Sequence, residues 1–275
     1  MAFTFSHPAA VLPLRAIFKR WIPFSALVVG SMVPDASYYL PMPEHFRRHS
    51  HTLLGTFSTS LPAGILVLLI FYWAAGTVVY LLPSPHREAL QPELKAPPAT
   101  ITQALLVALG VVMGAWTHVV WDSCTHSNGW IVRHTPLLQR QYFSQYFGTM
   151  MTGYNFLQYL TSAIGLCVLV YAYDRWMKAS GFRPWAWRKP GWRVYLWLGV
   201  LASCCLAATI ESRTMQMIVS GAFLHSRHYG LVFITSFVRD TLIAVCVVVI
   251  AAKLLRPGGD GTRPVENEDF ADLVR

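Results

Sequence analysis

Five apolar segments constrain the fold of this chain more than any other feature. They cover residues 61–82, 101–123, 154–173, 194–210 and 231–255. A helix of about 20 apolar residues crosses the hydrocarbon core of a bilayer. The chain is 54% hydrophobic and only 13% charged, whereas about 25% of the residues in a typical soluble domain are charged. The sequence therefore predicts an all-α polytopic membrane protein with about five transmembrane helices.

A weaker apolar segment covers residues 9–34, ahead of these five. Arg15, Lys19 and Arg20 interrupt it and Pro23 breaks it, so the segment does not suit a single span. We expect short or re-entrant helices there, at the membrane surface or folded against the bundle. One membrane domain over residues 1–255 is the simplest organisation, and the polar residues 256–275 are predicted to form a disordered tail.

The charge and the missing motifs narrow the class of protein. The formal net charge is +9, and most cations lie in loops beside the apolar segments, which favours contact with anionic lipid headgroups. The basic-aromatic pattern of RNA-binding proteins does not occur, so membrane lipids and not nucleic acid are the expected partners. The five cysteines form no CxxC pair, which excludes a thiolate zinc knuckle. There is also no GxSxG or HExxH motif.

A polar motif, "THVVWDSCTHSNGW" at residues 117–130, ends the second apolar segment. The spacing i, i+4, i+8 places His118, Asp122 and His126 roughly on one face of a helix. A histidine and a carboxylate one turn apart form half of a typical metal site. The alternative is a structural hydrogen bond between His118 and Asp122 that ties helices together.

Other polar residues are predicted to share a membrane face with this motif. The helix at 61–82 crosses the membrane and the helix at 101–123 returns, so residues before 61 lie on the same side as those after 116. Asp35, His49 and His51 belong to that group. In a loop or strand, the i, i+2 spacing of "HSH" lets His49 and His51 converge. His7 joins the group if residues 9–34 form a helical hairpin.

These residues predict a metal centre. The candidate ligands are His7, Asp35, His49, His51, His118 and Asp122, and the candidate catalytic residues are Asp122 and His126. Imidazoles and carboxylates suit zinc, which we favour, and also manganese or iron, with one or two ions bound. Taken alone, each histidine also fits a hydrogen-bonded anchor at the membrane interface, and Asp35 also fits a helix N-cap.

Four motifs carry a resemblance to a known family. In order, they are "FTFSHPAAVLPL", "SALVVGSMVPD", "HSHTLLG" and "THVVWDSCTH". Over about residues 1–175 the chain resembles an uncharacterised bacterial integral membrane family of unknown function. That family is similar to membrane-bound metal-dependent hydrolases and, distantly, to zinc-dependent phospholipase C. The resemblance implies location in the bacterial cytoplasmic (inner) membrane, and it implies metal ligands at His7, Asp35, His51, His118 and Asp122.

The predicted function is metal-dependent hydrolysis within the membrane, of a phosphoester or ester in a lipid or another small substrate. A metal ion would activate a water molecule, and His126 or a spare carboxylate would accept the proton. The alternative is a non-enzymatic membrane protein, either a transporter or a scaffold, with a structural His/Asp metal or hydrogen-bond cluster. A transporter is expected to place such groups near the bilayer midplane, whereas these lie at helix ends.

Overall fold

The fold is known from a computed structural model that describes residues 3–18, 21–40, 42–143, 150–183, 191–218 and 226–255. Of these described residues, 82% are helical, which confirms the all-α prediction. Within the described part of the chain, five helices are long and apolar enough to cross a membrane: Thr56–Leu81, Ile101–His134, Gly153–Ala179, Trp192–Met215 and Val232–Leu255. They correspond to the five predicted segments and make the chain an integral membrane protein. The predicted tail at 256–275 lies outside the described residues.

The N-terminal region forms short helices, as predicted. A 3₁₀ helix covers Thr4–Val11 and is followed by α1 (Leu12–Phe18) and α2 (Phe24–Met32). A second 3₁₀ helix covers Val33–Tyr38, and α3 covers Glu44–Ser50. Pro23 precedes α2 as its N-cap residue, because a proline fixes a φ suited to a helix start but cannot continue the helix before it.

The remaining elements follow in a simple order. A π-helical turn at Thr56–Ser60 leads into α4 (Leu61–Leu81), and α5 (His86–Leu90) is followed by a 3₁₀ turn at Gln91–Glu93. Next come α6 (Ile101–Thr125), α7 (Trp130–His134) and α8 (Pro136–Gln139). The strands β1 (Gln141–Phe143) and β2 (Met151–Thr152) pair antiparallel, with Gln141 opposite Thr152. The chain continues with α9 (Gly153–Ala179), α10 (Trp192–Ile218) and α11 (Ser226–Leu255).

The chain divides into two compact units. The first contains Met1–Phe71 and Ala96–Pro184, and the second contains Tyr72–Lys95 and Trp185–Arg275. The predicted single membrane domain over residues 1–255 stays a prediction. All the candidate site residues belong to the first unit.

Within the first unit, α2 packs closely against α6 through small residues. A Cβ atom on Gly30 would overlap the backbone carbonyl of Val111, and one on Gly114 would overlap the carbonyl of Leu27. Small residues let two helix backbones approach, and the spacing of Gly110 and Gly114 in α6 is typical of such contacts. The N-terminal region therefore folds against the long helix that carries His118 and Asp122.

The second unit contains an intramembrane ion pair between α10 and α11. Arg239 donates to Glu211 at 2.6 Å and to its neighbour Asp240 at 2.9 Å. Adjacent residues on a helix do not face each other, but the long arginine side chain folds back far enough to reach both carboxylates. The pair links two apolar helices through charged groups that are costly to place in lipid.

Candidate metal centre

Four side chains from three elements converge in the first unit: Asp35, His51, His118 and Asp122. Asp35 lies in the 3₁₀ helix that follows α2, His51 caps the C-terminus of α3, and the other two lie one turn apart in α6. One ligand atom from each lies within 4.8 Å of all the others. We call this set the four-residue cluster. Three of its members are buried, and His51 is half-buried.

His118 is the most informative member of the cluster. Its side chain is fully buried, and its Nδ1 lies 2.8 Å from the backbone carbonyl of Ser31. A carbonyl only accepts, so Nδ1 carries the proton and Nε2 of the neutral ring carries a lone pair. Nε2 makes no hydrogen bond among the described residues, although it lies 3.2 Å from an oxygen of Asp122 and 3.5 Å from one of Asp35.

His51 repeats this arrangement on a second ring. The hydroxyl of Ser50 donates to the carbonyl of Pro34 at 3.0 Å, so it can accept the Nδ1 proton of His51 at 3.1 Å. Nε2 of His51 then faces Asp35 Oδ1 at 3.3 Å and Asp122 Oδ2 at 3.5 Å. The ring centroids of His51 and His118 lie 5.3 Å apart. Two imidazole nitrogens therefore point at the same pair of carboxylate oxygens.

Each carboxylate has one oxygen held by a neighbour and one oxygen turned to the cluster. Thr4 donates its hydroxyl to Asp35 Oδ2 at 2.5 Å and accepts from Tyr39 at 2.8 Å. Nε2 of His7 lies 3.2 Å from Asp122 Oδ1. Such outer partners orient metal ligands in known sites. The roles of Thr4 and Tyr39 have no signal in the sequence, because hydroxyls at loop and helix ends are common.

The two carboxylates of the cluster need a positive charge beside them, either from protonated imidazoles or from a cation. Among the described residues, the ion-pair partners of Asp35 and Asp122 are all histidines. Burial raises the pKa of Asp35, but His118 and the hydrogen bond from His51 outweigh it and hold that pKa below its ordinary value. That lowering holds with the rings protonated; with both rings neutral, the two buried carboxylates face lone pairs, which is unfavourable. A divalent cation between them removes this cost, so the donor set fits a metal ion.

Three further predicted site residues lie outside the four-residue cluster. His7 is buried and stacks on His118 with ring centroids 4.0 Å apart. His126 ends α6, and its Nδ1 lies 3.4 Å from Asp122 Oδ1. His49 is exposed, and its Nδ1 donates to the carbonyl of His45 at 2.8 Å. The predicted roles of His7 and His126 stay predictions.

The expected convergence of His49 and His51 does not occur. Residues 44–50 are helical and not extended, and helical residues two apart point in nearly opposite directions. His51 at the helix end therefore faces the cluster while His49 faces outward. The seven-residue helix α3 is rich in charged and polar residues, so it has no apolar periodicity that would have revealed it.

Residues 1–254 match a protein family described as "Domain of unknown function (DUF4184)". The chain belongs to this family. The DUF4184 match confirms the predicted relation to a family of unknown function, and it extends well beyond the expected 1–175. No similarity to hydrolases is shown by these comparisons. The chain matches no curated protein and no solved structure.

Proposed function

We propose that the four-residue cluster binds one divalent transition-metal ion, with zinc the first choice. The observation that carries this proposal is the buried Nε2 of His118, which has no hydrogen bond to any described residue and faces two carboxylate oxygens. Zinc binds imidazole nitrogen and carboxylate oxygen at about 2.0–2.2 Å, so the ligand atoms of one site lie about 3–4 Å apart. A small contraction of the cluster would reach this spacing.

We further propose that the chain is a membrane-embedded hydrolase of a lipid phosphoester or ester. A bound divalent ion lowers the pKa of water and polarises the oxygen of a substrate. His126, which is 22% exposed, would accept the proton, because its Nδ1 lies beside Asp122 at the open edge of the cluster. His7 would orient Asp122 through its other oxygen. The proposed location, the bacterial cytoplasmic membrane, depends on the family resemblance.

The coordination number supports a second candidate function. Four protein ligands fill the shell of tetrahedral zinc, and a filled shell is typical of structural sites. In that case the ion would fasten the N-terminal region to α6 and would catalyse no reaction. The partial exposure of His51, at 21%, favours the hydrolase because it leaves a route for water and substrate.

Metal analysis of matched histidine variants tests the site. We expect the purified protein in detergent to contain about one zinc, manganese or iron ion per chain, or to acquire it on loading. His51→Ala removes a ligand and is expected to lose the ion. His49→Ala, two residues away and exposed, is the matched control and is expected to keep it. Equal loss in both variants, or no metal in any sample, would contradict the proposal.

His126→Gln then separates the two candidate functions. It leaves all four ligands in place, so the metal content is expected to stay unchanged. For a hydrolase, turnover of a lipid phosphoester or ester by the zinc-loaded protein is expected to fall about 100-fold or more, the usual effect of removing a general base. If wild-type protein with full metal content hydrolyses neither lipid class, the result would favour a structural role for the ion.

A further inference from the structure

An apolar groove of about 670 Å³ lies in the first unit, beside the four-residue cluster. Its walls come from α6, from α9 and from the N-terminal helices, and they include Leu14, Met113, Val120, Cys124 and Leu157. Val120 is 58% exposed, so the groove is open along one side. The groove is therefore a recess in the surface of the helices and not a packing defect within them.

The composition of its walls places the groove in the hydrocarbon region of the membrane. Its α6 and α9 walls belong to the membrane-spanning helices Ile101–His134 and Gly153–Ala179. Met113 and Cys124 are eleven residues apart, which corresponds to about 17 Å along a helix. One leaflet contributes about 15 Å, half of the 30 Å hydrocarbon core. The groove therefore has the length and the polarity to hold one fatty-acyl chain.

One end of the groove adjoins the predicted catalytic residue. Thr125 lines the groove, and its hydroxyl lies 3.3 Å from Nδ1 of His126. Trp121 also lines the groove. Its indole N–H donates to Thr161 at 3.2 Å, and its ring lies 5.4 Å from the ring of His7. A chain lying in the groove would thus emerge beside His126, at the open edge of the cluster.

We propose that the groove binds one acyl chain of a glycerophospholipid, with the headgroup at His126 and the chain end near Met113. This proposal adds a substrate to the proposed function. Binding of the lipid does not depend on that function, and only the reaction of the lipid depends on it. The acyl chain contacts none of the four ligands, so lipid binding does not require the metal. The groove would select a lipid substrate by its tail and present its headgroup esters to the cluster.

Photo-crosslinking tests the groove. The full chain is placed in nanodiscs that contain phosphatidylglycerol with a diazirine at the end of one acyl chain, and crosslinked peptides are mapped by mass spectrometry. We expect crosslinks at Met113 rather than at Cys124. Val120→Trp fills the groove and is expected to reduce them about tenfold. The matched control is Ile164→Trp, because Ile164 is 52% exposed on α9 and does not line the groove.

The possible outcomes separate this proposal from the metal site. Crosslinks spread evenly over the apolar helices and unchanged by Val120→Trp would show annular lipid only and overturn the proposal. Equal labelling at Met113 by a diazirine fatty acid that lacks a phosphoglycerol headgroup would overturn the headgroup assignment. His51→Ala is expected to keep the Met113 crosslink. If the wild-type protein gives the Met113 crosslink but holds no metal, the groove stands and the proposed hydrolase fails.

Discussion

Replacing Asp122 with asparagine is the most direct test of the metal centre. Asp122 is shared by the whole site, because Oδ2 faces His51 and His118 while Oδ1 meets His7 and His126. Asparagine has nearly the same size but carries no charge, so the packing of α6 is kept. The change removes one of the two anionic ligands. We therefore expect Asp122→Asn mainly to reduce the stabilisation of the folded protein by bound metal.

The size of this effect follows from binding linkage. A ligand that binds only the folded protein stabilises it by RT ln(1 + [L]/Kd), which is about 2.7 kcal/mol at 100 times Kd. Loss of an outer-shell partner typically weakens metal binding about 10–100-fold, so loss of a ligand is expected to cost at least about 100-fold. At the same metal concentration the stabilisation of Asp122→Asn then falls to RT ln 2, about 0.4 kcal/mol.

Thermal unfolding of the detergent-purified protein, with chelator and then with added zinc, measures this difference. The matched control is Asp174→Asn on α9. The Asp174 carboxylate lies 2.6 Å from Lys178 Nζ and is not part of the cluster. The control is expected to show the full zinc-induced shift. A full shift in Asp122→Asn would refute the reasoning. A different result would identify a buried ion-pair cluster instead: zinc would not shift the unfolding of the wild type, and Asp122→Asn would be destabilised by about 3–5 kcal/mol in chelator.

Three other predictions follow from the same contacts. Gly30→Ala places a methyl group against the carbonyl of Val111 and is expected to destabilise the protein by about 1–3 kcal/mol, whereas Gly199→Ala meets nothing within 4 Å and is expected to be neutral or stabilising in thermal unfolding. Thr4→Val removes the hydroxyl that holds Asp35 and is expected to weaken zinc affinity about 10–100-fold in a competition titration. The folded pKa of Asp35 is held below the ordinary 3.8. The stability that the ionised group adds is therefore present above about pH 4 and is lost as the pH falls through the folded pKa. In chelator, the unfolding temperature of the wild type is expected to fall more steeply below pH 4 than that of Asp35→Asn.

The five apolar helices were predictable because a long apolar segment has few alternatives to a helix in lipid. Counting spans placed Asp35 and His51 on the same side of the membrane as the C-terminal end of α6. The i, i+4 spacing paired His118 with Asp122. The orientation of the imidazoles was not predictable. It depends on the carbonyl of Ser31 and the hydroxyl of Ser50, and a backbone carbonyl leaves no trace in the identity of its residue.

Helix packing and ligand geometry are coupled at this point. The carbonyl of Ser31 reaches Nδ1 of His118 at 2.8 Å only because α2 lies in close contact with α6, and Gly30 and Gly114 permit that contact by having no side chains. The carbonyl fixes the proton on Nδ1 and so turns the lone pair of Nε2 toward the carboxylates. The small residues between the two helices therefore determine the tautomer of a proposed metal ligand as well as the stability of the fold. A substitution there that separated the helices by even an ångström would leave His118 free to turn, and the cluster would lose its most rigid donor.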